Sequence, residues 1–280
     1  MSVRINTNTD ALAAMRNLGT TAARLTQATE RLSSGLRINH AADDAAGLSI
    51  SQKLEAQVRG TAAAQRNAQD AVSLLQTADG ALDEVHTILQ RMRELAVQGG
   101  SDTLTSNDRN AISVELTQLS TELNSIGSNV TFNAQVLLSG TYNATFQVGP
   151  DSGMLLNVNF STVISSTLGT GSVSTGLASI PTQNSVASCW SNYIGSVDSA
   201  ITSVSTQRAT IGASQNRLSS IVRRLGVANE NMASAESRIR DADMAAESVN
   251  FNKNNILSQA GIAVLAQANM GPNQLLTLLR

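Results

Sequence analysis

The sequence predicts a mainly α fold, with long antiparallel helices forming a discontinuous coiled-coil bundle and a small β-hairpin region. Three observations predict it. Apolar residues recur in alternating steps of three and four over most of the chain, the spacing that keeps one helix stripe facing a partner. Aromatics make up only 2% of the 280 residues although 41% are hydrophobic. A chain so poor in rings, and rich in Ala, Leu, Gln, Asn, Ser and Thr, suits thin helices that bury narrow seams. The period changes to two only in the middle of the chain.

The elements follow in order. After the cap-rich Asn6-Thr7-Asn8-Thr9-Asp10 comes a heptad seam of Ala11, Met15, Leu18, Ala22, Leu25, Thr29 and Leu32. This first helix should stop at Ser33-Ser34-Gly35, where Gly adopts the left-handed cap. A polar bend, Asn39 to Gly47, leads to a long helix whose seam is Ala68, Ala71, Leu75, Ala78, Leu82, Val85, Leu89, Met92 and Ala96, ending at Gly99-Gly100. A third helix starts after Thr105 with Ile112, Leu116, Leu119, Leu123 and Ile126 on one face, and ends at Gly127. Thr141–Gly149 and Met154–Phe160 alternate around Pro150-Asp151-Ser152-Gly153 and read as a hairpin. Residues 161–188 are a Ser/Thr/Gly-rich loop.

A second long helix starts near Ser191 and holds its seam to Ile239. Polar Arg208, Gln215 and Asn229 sit in that seam, where polar residues fix register and cost stability, so their replacement by Leu is expected to strengthen the coil. A last helix runs from Asp243 to Asn269, with Met270-Gly271-Pro272 expected to break it. The near symmetry of this layout implies that the two ends of the chain pair with each other.

Charge and composition exclude several function classes. A net charge of -2 without a basic block argues against nucleic acid. The single cysteine, Cys189, rules out an intrachain disulfide. No run is apolar enough to span a bilayer, and the N-terminus lacks the layout of a cleaved signal peptide. Yet no charge occurs from Asn254 through Leu279, which poses the question of what that segment is buried against.

Three runs answer it: LSSGLRINHAADDAAGLSIS from Leu32, QRMRELAVQ from Gln90, and SRIRDADMAAESVNFNKNNILSQAGIAVLAQAN from Ser237, together with the Leu-Leu-Arg ending. In this order they resemble bacterial flagellin, over roughly residues 1–150 and 190–280. The chain departs from the family pattern at His40-Ala41-Ala42, at Ala134 after Asn133 where Gly is common, and at Cys189-Trp190. Its middle is short, so the large outer domains of long flagellins are expected to be missing.

The resemblance implies a structural, non-catalytic subunit of the extracellular flagellar filament, needing no cofactor. It also implies export through the flagellar type III channel without a cleaved signal, which accounts for the missing signal peptide. Implied partners are other copies of the chain, an export chaperone, and the filament cap and hook-junction proteins. A hook–filament junction protein with similar terminal helices is the alternative. Residues 1–45 and 236–280 would form the inner core domain, and 46–235 a helical outer-core domain carrying the hairpin near 141–160 and the surface loop 161–188. The terminal helices would polymerise through Leu12, Met15, Leu18, Leu25, Leu32, Ile256, Leu257, Ala260, Val264 and Leu265. By position, Arg91, Leu95 and Glu115 would contact the vertebrate innate receptor, Toll-like receptor 5.

Other constellations read more simply. Asp241, Asp243 and Glu247 suit helix capping better than a cation site. His40 with Asp43 and Asp44 suits a solvated bend rather than a metal. Gly169-Thr170-Gly171 lacks the strand-turn-helix context of a phosphate loop. Cys189 has no histidine close in sequence to activate it. Ser and Thr in 161–188 permit O-glycans on an outer surface.

Overall fold

The computed structural model describes residues 7–164, 167–168, 177, 180–181 and 187–278, with the backbone alone at 187 and 271–278. Helix α1 spans Thr9–Ser34. Asn8 caps it by accepting from the Ala11 amide at 3.0 Å. Gly35, at φ 73°, ends it in the left-handed conformation, and its amide donates to the Arg31 carbonyl. Helix α2 spans Ala45–Gly99, with Asp44 accepting from the Gly47 amide at 2.8 Å.

Helix α3 spans Ser106–Asn129 behind a capping box in which Thr105 and Asp108 each satisfy the other's backbone N–H. It therefore runs two residues past the expected stop at Gly127. A Cβ there would make only ordinary contact with the Ile164 side chain, at 3.5 Å, so packing does not require glycine, and α3 passes through Gly127 without using it as a terminator. Helix α4 spans Ala187–Arg240 and α5 Met244–Leu278. The expected break at Met270-Gly271-Pro272 is corrected: the helical backbone of α5 continues through it. Proline removes one backbone donor, and the following Asn-Gln-Leu-Leu-Thr-Leu run has adequate helix propensity to carry on.

Two antiparallel hairpins complete the chain. β3 (Asn143–Gln147) pairs with β4 (Leu155–Asn159) as the alternation predicts, with Ala144 opposite Val158 and Phe146 opposite Leu156 on the inward face. The sequence reading missed β1 (Thr131–Phe132) and β2 (Gln135–Val136), because two residues per strand are too few to show a period. They are joined by Asn133 and Ala134 at φ 48° and 62°, the paired left-handed residues of a tight hairpin turn.

The chain divides into two compact units, Met1–Val58 with Glu230–Arg280, and Arg59–Asn229. Each unit thus takes part of α2 and part of α4, where the sequence reading put the divisions at 45/46 and 235/236. In the second unit, every α2 seam residue from Ala68 to Ala96 is fully buried, facing Val197, Val204, Ile211, Leu218 and Leu225 of α4, Leu116 and Leu123 of α3, and the inner face of the β3–β4 hairpin. Trp190 is buried where Gly99 ends α2; a Cβ on Gly99 would collide with the indole ring. The Arg208 guanidinium leaves the seam's edge to bond Asp79 at 3.1 Å and Asp83 at 2.7 Å, one turn apart on α2. In this way the polar seam position is paired with two carboxylates.

In the first unit, α1 and α5 lie antiparallel. Asn8 donates to the Ala268 carbonyl at 2.9 Å, and Leu18 meets Gly261, whose added Cβ would be 3.2 Å from the Leu18 Cδ1. At the other end of the pair, Leu36 bridges to Asp241. Arg37 there donates from its amide to the Arg240 carbonyl and from its guanidinium to the Ile239 carbonyl, both at 2.7 Å. Arg240 is held by Glu55 at 3.1 Å and Glu236 at 3.8 Å. The two ends of the chain therefore do pair.

Candidate assembly surface

The α1–α5 pair decides where apolar surface is left over. The α1 residues turned toward α5 are Ala11, Ala14, Leu18, Thr21, Leu25, Ala28 and Leu32, all at least half-buried. This corrects the sequence register, which agreed at positions 11, 18, 25 and 32 but took Met15, Ala22 and Thr29 for the alternate positions. In a 3.6-residue helix the positions three and four ahead flank the same line. The larger Met15 was an attractive choice, but the small Ala14 and Thr21 let the helices approach.

On α5 the half-buried line is Glu247, Phe251, Asn254, Ser258, Gly261, Leu265 and Ala268, again dominated by small groups. Opposite it runs an exposed line of Val249, Ile256, Ala260, Ala263 and Met270, flanked by Leu257 and Val264. Of the ten residues expected to mediate polymerisation, Leu18, Leu25, Leu32 and Leu265 are used within the chain. The other six are exposed: Leu12 by 56%, Met15 by 64%, Ile256 by 66% and Val264 by 58%, with Leu257 and Ala260 also exposed.

Helix α5 is thus apolar or uncharged on every side from Asn254 onward. A helix that leaves a line of large apolar residues in water normally meets a partner there. The outward face of α1, by contrast, carries Arg16, Thr20 and Gln27 beside apolar Leu12 and Met15. Sequence reading found the charge-free run but not the inner line, whose only signal is the heptad spacing of Phe251, Ser258, Leu265 and of Asn254, Gly261, Ala268.

The other sequence-predicted residues fall as follows. Arg91 donates to Glu115 through Nε at 3.0 Å and Nη2 at 2.8 Å, and to Glu94 at 3.3 Å. The hydrogen bond to the Glu115 carboxylate is the largest of the effects raising the Arg91 pKa above its usual range. Leu95 is only 2% exposed; it follows Met92 by three residues and so turns into the same core. Arg91 and Glu115 are therefore brought together at the surface, while Leu95 is buried in the core of the second unit.

Asp243 caps α5, accepting from the Ala245 and Ala246 amides at 2.9 and 3.1 Å. Asp43 accepts from the amides of Asn39 and His40, and His40 reaches Glu30 at 2.7 Å. Cys189 is exposed. Gly169, Thr170 and Gly171 lie outside the described residues, as does most of the Ser/Thr-rich segment. No helix among the described residues is long and apolar enough to cross a membrane.

The chain is similar to known proteins along nearly its whole length. Residues 5–143 match the bacterial flagellin N-terminal helical region and residues 194–279 the bacterial flagellin C-terminal helical region. A flagellin of Halalkalibacterium halodurans is 46% identical over 277 residues, covering 99% of both chains. A flagellin of Bacillus subtilis is 41% identical over 304 residues, covering 99% of this chain and all of the relative. The crystal structure of Bacillus cereus flagellin aligns at 31% identity and a TM-score of 0.48, covering 61% of this chain and 94% of that one.

Proposed function

The chain belongs to the bacterial flagellin family, whose members are structural subunits of the flagellar filament, and we propose that its helix α5 supplies the surface by which copies assemble. The observation that carries this reading is the second apolar face of α5, opposite the face that packs on α1. Within one chain Ile256 and Val264 have no cover. Burying that line between copies removes apolar area from water at about 25 cal/mol per Å², and no charge needs to be desolvated because none is present from Asn254 to Leu279. The marginal stability of the terminal helices as isolated elements, which gain most from packing, suits folding that is completed on assembly.

The filament is extracellular, reached in this reading through the flagellar type III channel with an export chaperone; the filament cap and hook-junction proteins are its further partners. The junction-protein alternative is not favoured, since relatives matched from end to end are flagellins. Where a vertebrate host is met, the Arg91–Glu115 edge is the proposed contact for Toll-like receptor 5. Leu95 is buried in the core rather than touching the receptor.

Electron microscopy of the purified chain after salt-induced polymerisation tests the main reading. Long uniform filaments are expected; discrete rings or no assembly would count against it.

A further inference from the structure

Among the charges of the second unit that lie in no ion pair of the described residues, two sets on separate helix edges are complementary. Helices α2 and α3 run antiparallel and are pinned by Arg91 on one and Glu115 on the other. One heptad further along the same edge, seven residues back on α2 and seven forward on α3, stand Glu84 and Glu122. Both steps advance about 10.5 Å in the same direction and return to nearly the same side of each helix. The place that holds a cation and a carboxylate one heptad earlier therefore holds two carboxylates here. Both are exposed, and neither has an ion-pair partner among the described residues.

Helix α4 carries the converse. Arg217 and Arg224 are one heptad apart, hence on one side of the helix. Both are exposed, and neither is paired with a carboxylate among the described residues, whereas Arg208 on the same helix has two. Arg217 and Arg224 stand about 10.5 Å apart along the helix, and a surface that carries both kinds of charge unpaired gains when a partner of opposite sign meets each.

We propose that Arg217 and Arg224 of one copy dock against Glu84 and Glu122 of a neighbouring copy in the filament. The partner is a second copy of this chain, because one chain supplies both halves of the complementarity at separate places. A contact between two different patches is head-to-tail, the kind that propagates into a helical polymer rather than closing into a dimer. The inference rests on the filament reading and adds to it an electrostatic contact in the second unit, apart from the apolar surface of α5. Such contacts steer association and fix register, and they weaken as salt rises.

Seeded polymerisation at the lowest salt concentration that supports growth of the parent, and at higher salt, tests it, reading the critical concentration of the full-length chain. R217E/R224E and E84R/E122R should each raise it about tenfold, since two attractive pairs become repulsive. The quadruple variant, with both patches reversed, should return to within about twofold of the parent. Melting curves of the four monomers check that folding is intact. Double variants that polymerise at the parent concentration, or a quadruple variant no better than the doubles, would overturn the proposal. A parent chain that does not extend flagellar seeds at all would instead sink the filament reading on which it stands.

Discussion

Arg208 of α4 holds Asp79 and Asp83 of α2 in one guanidinium fork, with Nε 3.1 Å from Asp79 and Nη1 2.7 Å from Asp83. The two acceptors are one helical turn apart, so the fork spans a turn of the facing helix and fixes how α2 and α4 are aligned. A polar residue in a seam need not be a buried penalty when its head group reaches the seam's edge. That alters the outcome expected from the sequence, in which joint replacement of Arg208, Gln215 and Asn229 by Leu strengthens the coil.

Arg208→Leu should destabilise the second unit by about 1 kcal/mol, because the pairs are only partly shielded from water and two carboxylates are left near each other. Arg208→Lys should recover about half of that, since an ammonium lacks the planar fork. Urea unfolding of the monomer measures both; a more stable Leu variant would show that the fork contributes nothing.

Gly261 sits where the Leu18 side chain crosses α5. Gly261→Val should cost about 1–3 kcal/mol in the α1–α5 pair through overpacking. Leu18→Ala in the same chain should relieve part of that cost, giving a coupling well above the error of a double-mutant cycle. Hydrogen exchange along α1 provides the readout, and strictly additive effects would place the two residues out of contact.

Ala134 occupies a left-handed position at φ 62° that costs an L-residue about 1 kcal/mol. Ala134→Gly removes that cost but adds freedom to the unfolded chain, so a net gain of about 0.5 kcal/mol is expected. A lowered melting temperature would contradict the turn geometry.

The Asp108 carboxyl is held below its ordinary range by the hydrogen bond from the Thr105 hydroxyl and then by the Thr105 amide. A depressed folded pKa means that the cap stabilises α3 above the unfolded value, near 4, and that this contribution disappears as pH falls through the lower folded value. Protection of the first turn of α3 should therefore drop on acidification below about pH 4. Asp43, lowered mainly by the His40 amide and next by that of Asn39, should behave likewise at the bend. In Asp108→Asn the acid-dependent part at α3 should vanish; an unchanged pH profile would assign it elsewhere.

The seams of α2 and α4 were legible in the sequence because large apolar groups repeat there and each helix has a core to face. The pairing of the chain ends was legible from the near symmetry of the layout. What escaped was set by contacts rather than by period. The α1 register turns on Ala14 against Met15, which differ in what they touch and not in hydrophobic pattern. Gly127 reads as a stop although α3 passes through it, and Leu95 reads as surface until its step from Met92 is placed against the core. The inner line of α5 is carried by Ser258, Gly261 and Ala268, residues that stand out only once Leu18 and the α1 backbone lie across them.

The central claim is that the outward line of α5 is covered by other copies. Sedimentation of Ile256→Glu/Val264→Glu against the parent chain, under conditions where the parent polymerises, tests it most directly. Two carboxylates on that line should keep the variant in the supernatant at concentrations where the parent pellets, with the circular dichroism of its monomer unchanged, because neither residue is needed within one chain. A variant that pellets at the parent's concentration would show that this face stays in water, and that copies of the chain assemble through another surface.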